Sequence, residues 1–129
     1  MTAAIFAAVA KRHTPKGWTV KYRESLTGRC FYRTETIATP PPTTARRLQI
    51  FLHECAHAVL HGPRSGKPRH REEYEAEMKS FQWMWESEID IPQECIDRAK
   101  KYVGWKIKQA IKRGAKHIDP EASAFAAEV

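Results

Sequence analysis

The chain has 129 residues and a formal net charge of +7, with 22 Lys and Arg against 15 Asp and Glu. That length suits one domain over residues 1–129 with a single core, and no internal repeat divides it. No apolar run is long enough to span a bilayer, so no membrane partner is expected. The apolar start from Ala3 to Ala10 has no basic region before it and runs into Lys11-Arg12-His13, which does not read as a secretory signal. Cys30, Cys55 and Cys95 are odd in number, widely spaced and outside any Cys-x-x-Cys pair, which argues against a disulfide framework or a cysteine zinc site and fits a reducing, cytoplasmic setting.

In chain order, residues 2–12 are Ala-rich, with Ile5, Phe6 and Val9 on one side, and predict a short helix ended by Pro15 and Gly17. Trp18, Val20 and Tyr22 alternate with polar residues. After a turn at Thr27-Gly28, the segment from Cys30 to Ala38 is rich in β-branched and aromatic types, so two antiparallel strands are expected. These elements make up residues 1–42, which close on Pro40-Pro41-Pro42.

Thr43 or Thr44 is then suited to cap the next helix, Ala45 to His61, which carries Leu48, Ile50, Phe51, Leu52, Cys55, Ala56, Val59 and Leu60. A helix with so little polar surface belongs inside the domain. Gly62-Pro63 stops it, and residues 62–70 form a basic loop. A second helix is expected over 71–87, with Tyr74, Met78, Phe81 and Trp85 as its buried stripe. A third is expected from Gln93 to Arg113, its inner face made of Ile96, Ala99, Val103, Ile107, Ala110 and Ile111. The tail, residues 115–129, is polar and Ala-rich and is expected to end loosely ordered. From Arg98 to Lys116 there are basic residues and no acidic one; a solvated helix face is the plain reading, and a nucleic-acid surface over 98–116 is the alternative.

The chemistry sits on the apolar helix, in His53-Glu54-Cys55-Ala56-His57. Histidines four apart share one helix face and can hold one metal ion through their imidazoles. The intervening Glu54 is placed to take a proton from the attacking water and return it to the leaving amine, the division of labour in a zinc metallopeptidase. Two adjacent histidines would otherwise cost free energy on so apolar a helix. A third ligand is needed to leave one position open. His61 extends the series, but successive positions climb about 6 Å each, so it suits a supporting or helix-terminus role. The metzincin pattern is excluded by Leu60 and Pro63 at its Gly and His positions. Among the acids of the second helix, Glu73 and Glu77 share one face beside the predicted stripe, while Glu72 and Glu75 are expected in solvent. Glu73 is therefore the expected third ligand and Glu77 an expected hydrogen-bond partner of a ligating histidine.

The run His-Glu-Cys-Ala-His-Ala-Val-Leu-His with the later Glu-Tyr-Glu-Ala-Glu resembles the gluzincin (HExxH) pattern of ImmA/IrrE-type zinc metallopeptidases over about residues 30–92. The resemblance implies an α+β fold, a minimal gluzincin core with a small antiparallel sheet packed on about three helices plus the N-terminal helix. It implies one zinc ion, with Glu73 matching the family's third ligand, and hydrolysis of a peptide bond in a regulatory protein such as a transcriptional repressor. The strand before the active-site helix, around Phe31 to Ala38, would be the edge to which an extended peptide adds. Glu77 departs from the family's usual Asn or Asp, and no helix-turn-helix is evident. SprT-like proteases use a third histidine, for which His70 and His117 lack convincing spacing. Tyr32 and Tyr74 are candidate oxyanion donors. The alternative function is a DNA-associated or anti-restriction-type regulatory protein of a mobile element, built on a metallopeptidase scaffold.

Overall fold

Helix α2 (Ala45–Leu60) is the element on which the others are placed. Its N-cap is Thr44, whose hydroxyl accepts a hydrogen bond from the Arg47 backbone N–H at 3.1 Å, one of the two caps the sequence offered. From Leu48 to His57 every residue is buried. The computed structural model describes residues 2–127, and these form an α+β fold with five helices and one three-stranded sheet among the described residues. The others are α1 (Thr2–His13), β1 (Thr19–Tyr22), β2 (Arg29–Phe31), β3 (Thr36–Thr39), α3 (Arg69–Glu86), α4 (Gln93–Lys112) and α5 (Pro120–Ala127). Among the described residues no helix is long and apolar enough to cross a membrane.

The sheet corrects the expected pair of antiparallel strands. Its order is β1-β3-β2, with β1 parallel to β3 and β2 antiparallel to β3. The run from Cys30 to Ala38 is two strands folded back through residues 32–35, where Glu35 takes a positive φ of 49° and its N–H reaches the Tyr32 carbonyl at 3.3 Å. No Gly or Pro marks that turn, which is why the run of β-branched and aromatic types reads as one strand. Central β3 puts Ile37 fully out of solvent, opposite Val20 on one side and Cys30 on the other.

The main core gathers Phe6, Val9, Ile37, Leu48, Phe51, Leu52, Cys55, Trp83 and Met84 around α2. Helix α3 lies along it with an unexpected face. The anticipated stripe fails at Met78 and Trp85, which are 40% and 76% exposed. What faces inward is His70, Glu73, Ala76, Glu77, Ser80 and Met84, a set that recurs every three or four residues but is mostly polar. Apolar patterning misleads here because α3 meets the histidine side of α2. Tyr74, Met78 and Phe81 border a separate groove between α4 and α5. On α4 the inner face is Cys95, Ala99 and Val103, while Ile111 is exposed where the helix outruns the core.

The tail also differs from expectation, since Pro120–Ala127 is a docked helix; residues 128 and 129 lie outside the described residues. Asp119 explains its start: its carboxylate accepts from the Ala122 N–H at 2.9 Å, with Pro120 supplying the first helical φ. Arg71 of α3 donates to Asp119 and Glu121 at 2.9 and 3.0 Å, and Ala122 is fully buried. Ala122→Glu places an unpaired carboxylate at that contact and is expected to lower unfolding free energy by about 2 kcal/mol or more. Urea denaturation checks this, and an unchanged midpoint would mean α5 is not docked.

Candidate metal centre

One helical turn of α2 sets His53 and His57 side by side, their Nε2 atoms 3.2 Å apart and their rings 80° from coplanar. Glu73 reaches across from α3 so that its Oε1 lies 3.1 Å from each of those nitrogens. The three ligand atoms thus form a nearly equilateral triangle, and all three residues are buried. A tetrahedron built on zinc–ligand distances of about 2.0 Å has edges of about 3.3 Å. The donor set of two imidazoles and one carboxylate, on an almost matching triangle, fits such an ion, and the chain has a buried His-His-Glu group that can hold a metal. The residues brought together are those the sequence singled out.

The surrounding polar groups brace this triangle. Glu77 Oε1 lies 2.5 Å from His53 Nδ1, a close electrostatic contact off the line of an aligned hydrogen bond. Gln49 holds Glu77 from behind, its amide donating to Glu77 Oε1 at 3.0 Å and to Ser80 Oγ at 2.9 Å. Gln49 escaped the sequence reading, although it precedes His53 by four residues and is the polar residue continuing the 53, 57 series on an apolar helix. His61 lies outside the triangle: its Nδ1 is 3.2 Å from His57 Nδ1 and its Nε2 is 2.9 Å from Glu75 Oε1.

Two acids expected in solvent are therefore engaged. Glu75 meets His61, Lys67 and Arg71, and Glu72 is buried against Ser65 with Arg69 nearby. The physical reason is the loop at 62–68, which folds its basic and hydroxyl groups over the start of α3. His70, the weaker histidine candidate, is also turned away: its Nε2 accepts from the Asp119 N–H at 3.0 Å.

Electrostatics separate the roles. Burial opposes the Glu73 carboxylate, but contacts from His53 and His57 outweigh it and hold its carboxyl far below the ordinary range. Burial likewise opposes a charged His53, yet Glu77 and Glu73 together raise it well above the usual imidazole value. His57 is lowered, chiefly by burial. Burial pushes Glu54 up to about 7. Glu54 is packed so tightly that a Cβ on Gly28 would stand 2.7 Å from its Cγ and 2.9 Å from its Oε2. Glycine is needed there for close approach.

The centre floors a cleft of about 640 Å³. One wall is β2 with residues 26–28, and the other is the α4 side with Arg98, Tyr102, Trp105 and Lys106. The expected substrate edge shifts accordingly: β3 is the central strand, hydrogen-bonded on both sides, so the free edge beside the cleft belongs to β2. Tyr32 lines the cleft and donates to the His57 carbonyl at 3.3 Å. Tyr74 sits instead against Phe125 of α5, 5.5 Å between ring centres, which removes it as an oxyanion donor. Arg69, Arg98 and Lys106 give the cleft a cationic rim that the sequence reading had not connected with the site. Cys30 also lines it as a thiol pushed up to about 12 by burial and by Glu54, and all three cysteines are free.

No family model, no curated protein and no solved structure matches this chain.

Glu73→Ala is expected to weaken zinc binding by more than the roughly 10–100-fold typical of losing an outer partner, as read by competition with a chromophoric chelator. Unchanged affinity would reject Glu73 as a ligand. In metal-free protein, Glu54 holds a proton more tightly folded than unfolded, since its carboxyl moves from 4.5 to about 7. Stability is then greatest below pH 4.5 for this group and falls as pH rises through 7. Glu54→Gln is expected to stabilise metal-free protein at pH 8 by up to about 3 kcal/mol, at about 1.4 kcal/mol per pH unit, with the gain vanishing near pH 4. Denaturation at a series of pH values checks the sign.

Proposed function

We propose that this chain is a zinc-dependent endopeptidase of the ImmA/IrrE type, acting on a peptide bond in a regulatory protein such as a transcriptional repressor. The observation carrying the proposal is the His53–His57–Glu73 triangle with Glu54 beside it, at the floor of a cleft bounded by a free strand edge.

His53 Nε2, His57 Nε2 and Glu73 Oε1 are the atoms that would hold the metal. The ion, when bound, supplies Lewis acidity, which activates water and polarises a carbonyl. An extended peptide pairs with the outer edge of β2, which lays its backbone across the triangle. Glu54 takes the proton of the attacking water and passes it to the departing amine nitrogen. A carboxyl raised towards neutrality by burial suits both halves of that transfer. Gly28, lacking a Cβ, leaves the room that Glu54 occupies, and a side chain there would displace it. Tyr32, on the β2 wall, is the candidate donor to the oxyanion, its O–H turning there from the His57 carbonyl. Arg98 and Lys106 favour acidic side chains in the substrate.

A second reading, contact with nucleic acid, is favoured by the exposed lysines of α4 at positions 101, 108 and 112, interleaved with half-exposed Trp105. Steep loss of DNA binding with added salt would support it.

Glu54→Gln is expected to keep its metal and lose cleavage. Proteins cut in cells by the wild type and spared by Glu54→Gln, identified by mass spectrometry, are the substrates. Equal cleavage by both forms would reject the assigned base.

A further inference from the structure

His57 can ligate a metal through Nε2 only if that nitrogen carries a lone pair, which puts the ring proton on Nδ1. Nδ1 of His57 faces Nδ1 of His61 at 3.2 Å. Two N–H groups cannot meet head to head, so His61 Nδ1 must accept and the His61 proton must sit on Nε2. That atom lies 2.9 Å from Glu75 Oε1, an acceptor. The opposite assignment, with His61 donating from Nδ1, would force the His57 proton onto Nε2 and block ligation.

Resting on the metal-centre reading above, we infer that Glu75, acting through His61, is a positioning residue that fixes the tautomer and ring orientation of the metal ligand His57. The surroundings are built for it. His61 caps α2 by donating its backbone N–H to the His57 carbonyl at 3.0 Å, and its side chain is fully buried. Glu75 Oε2 accepts from Arg71 Nε at 2.8 Å, and Oε1 accepts from Lys67 Nζ at 2.9 Å. Arg71 is itself held by Asp119 and Glu121. A chain of contacts therefore runs from the start of α5 to His57 Nδ1, the ring nitrogen opposite the ligating Nε2. The two ligating histidines are braced differently: His53 meets a carboxylate directly, whereas His57 reaches one through a second imidazole.

The test uses the full chain, ¹⁵N-labelled and loaded with zinc. Long-range ¹H–¹⁵N correlation of the histidine rings is expected to show His57 protonated at Nδ1 and His61 protonated at Nε2 with a bare Nδ1. Zinc affinity, measured by chelator competition, is expected to fall about tenfold in Glu75→Ala and less in Glu75→Gln, which keeps an acceptor oxygen. A His61 proton on Nδ1 in the zinc-loaded wild type would overturn the inference. So would zinc affinity within about twofold of wild type in Glu75→Ala, well short of an outer-partner loss. Where a variant does not fold, the wild-type ring spectrum decides alone. Failure of the wild type to bind zinc overturns the inference together with the metal centre. Zinc binding with the expected tautomers in a chain that cleaves nothing sustains it and removes only the peptidase reading.

Discussion

The structure depends on burying the Glu73 carboxylate between two histidines at the contact of α2 and α3. Removing a carboxylate from water is costly unless it is paired and hydrogen-bonded, and here Glu73 Oε1 sits 3.1 Å from both imidazole nitrogens. The polarity of the interface follows from this. Glu77 counters His53, Gln49 donates to the Glu77 carboxylate and to Ser80, and His61 with Glu75 completes the set behind His57. Broken at one member, such a network strands its neighbours without partners, so its parts stand or fall together. A bound cation would relieve the closeness of Glu54, Glu73 and Glu77, which raise the Glu54 carboxyl in addition to its burial.

A polar α2–α3 interface constrains the rest of the packing. The apolar contribution to stability comes from beyond the metal-facing polar groups, from α3 through Ala76, Trp83 and Met84, from α1 through Phe6 and Val9 and from β3 through Ile37. The order of the sheet has a functional result: placing β3 in the centre leaves β2 at the edge, adjoining the cleft, with Gly28 set directly over Glu54. Helix α4 closes the opposite side with Ala99 and Val103 inward and Arg98, Tyr102 and Lys106 along the cleft. Lys106 lies 5.0 Å from the Trp105 ring centre, so the aromatic and cationic groups of that wall are coupled.

Several features were settled by local sequence alone. The i, i+4 spacing of His53 and His57 on a continuous helix, with Thr44 before it and Gly62-Pro63 after, depends only on helix geometry and end chemistry. It put both imidazoles on one face and kept His61 out of the ligand triangle. The same periodicity put Glu73 and Glu77 on one face, and the resemblance singled out Glu73 between them. The α+β class was legible for a similar reason, because the early β-branched segments and the later helical ones differ in period.

Tertiary structure decided the rest. The Cys30 to Ala38 run is rich in β-branched and aromatic residues and holds no Gly or Pro, so no turn residue separates two strands; only the pairing of β3 with both neighbours selects the hairpin. Helix α3 has a buried face that hydrophobic pattern cannot find, since acids buried against histidines look like solvated acids in one dimension. Glu75 became a partner of His61 because the loop at 62–68 folds over α3. Pro120–Ala127 is a docked helix because Arg71, 48 residues earlier than Asp119, reaches its cap. Periodicity reports which residues share a face; what that face meets is a property of the packed chain.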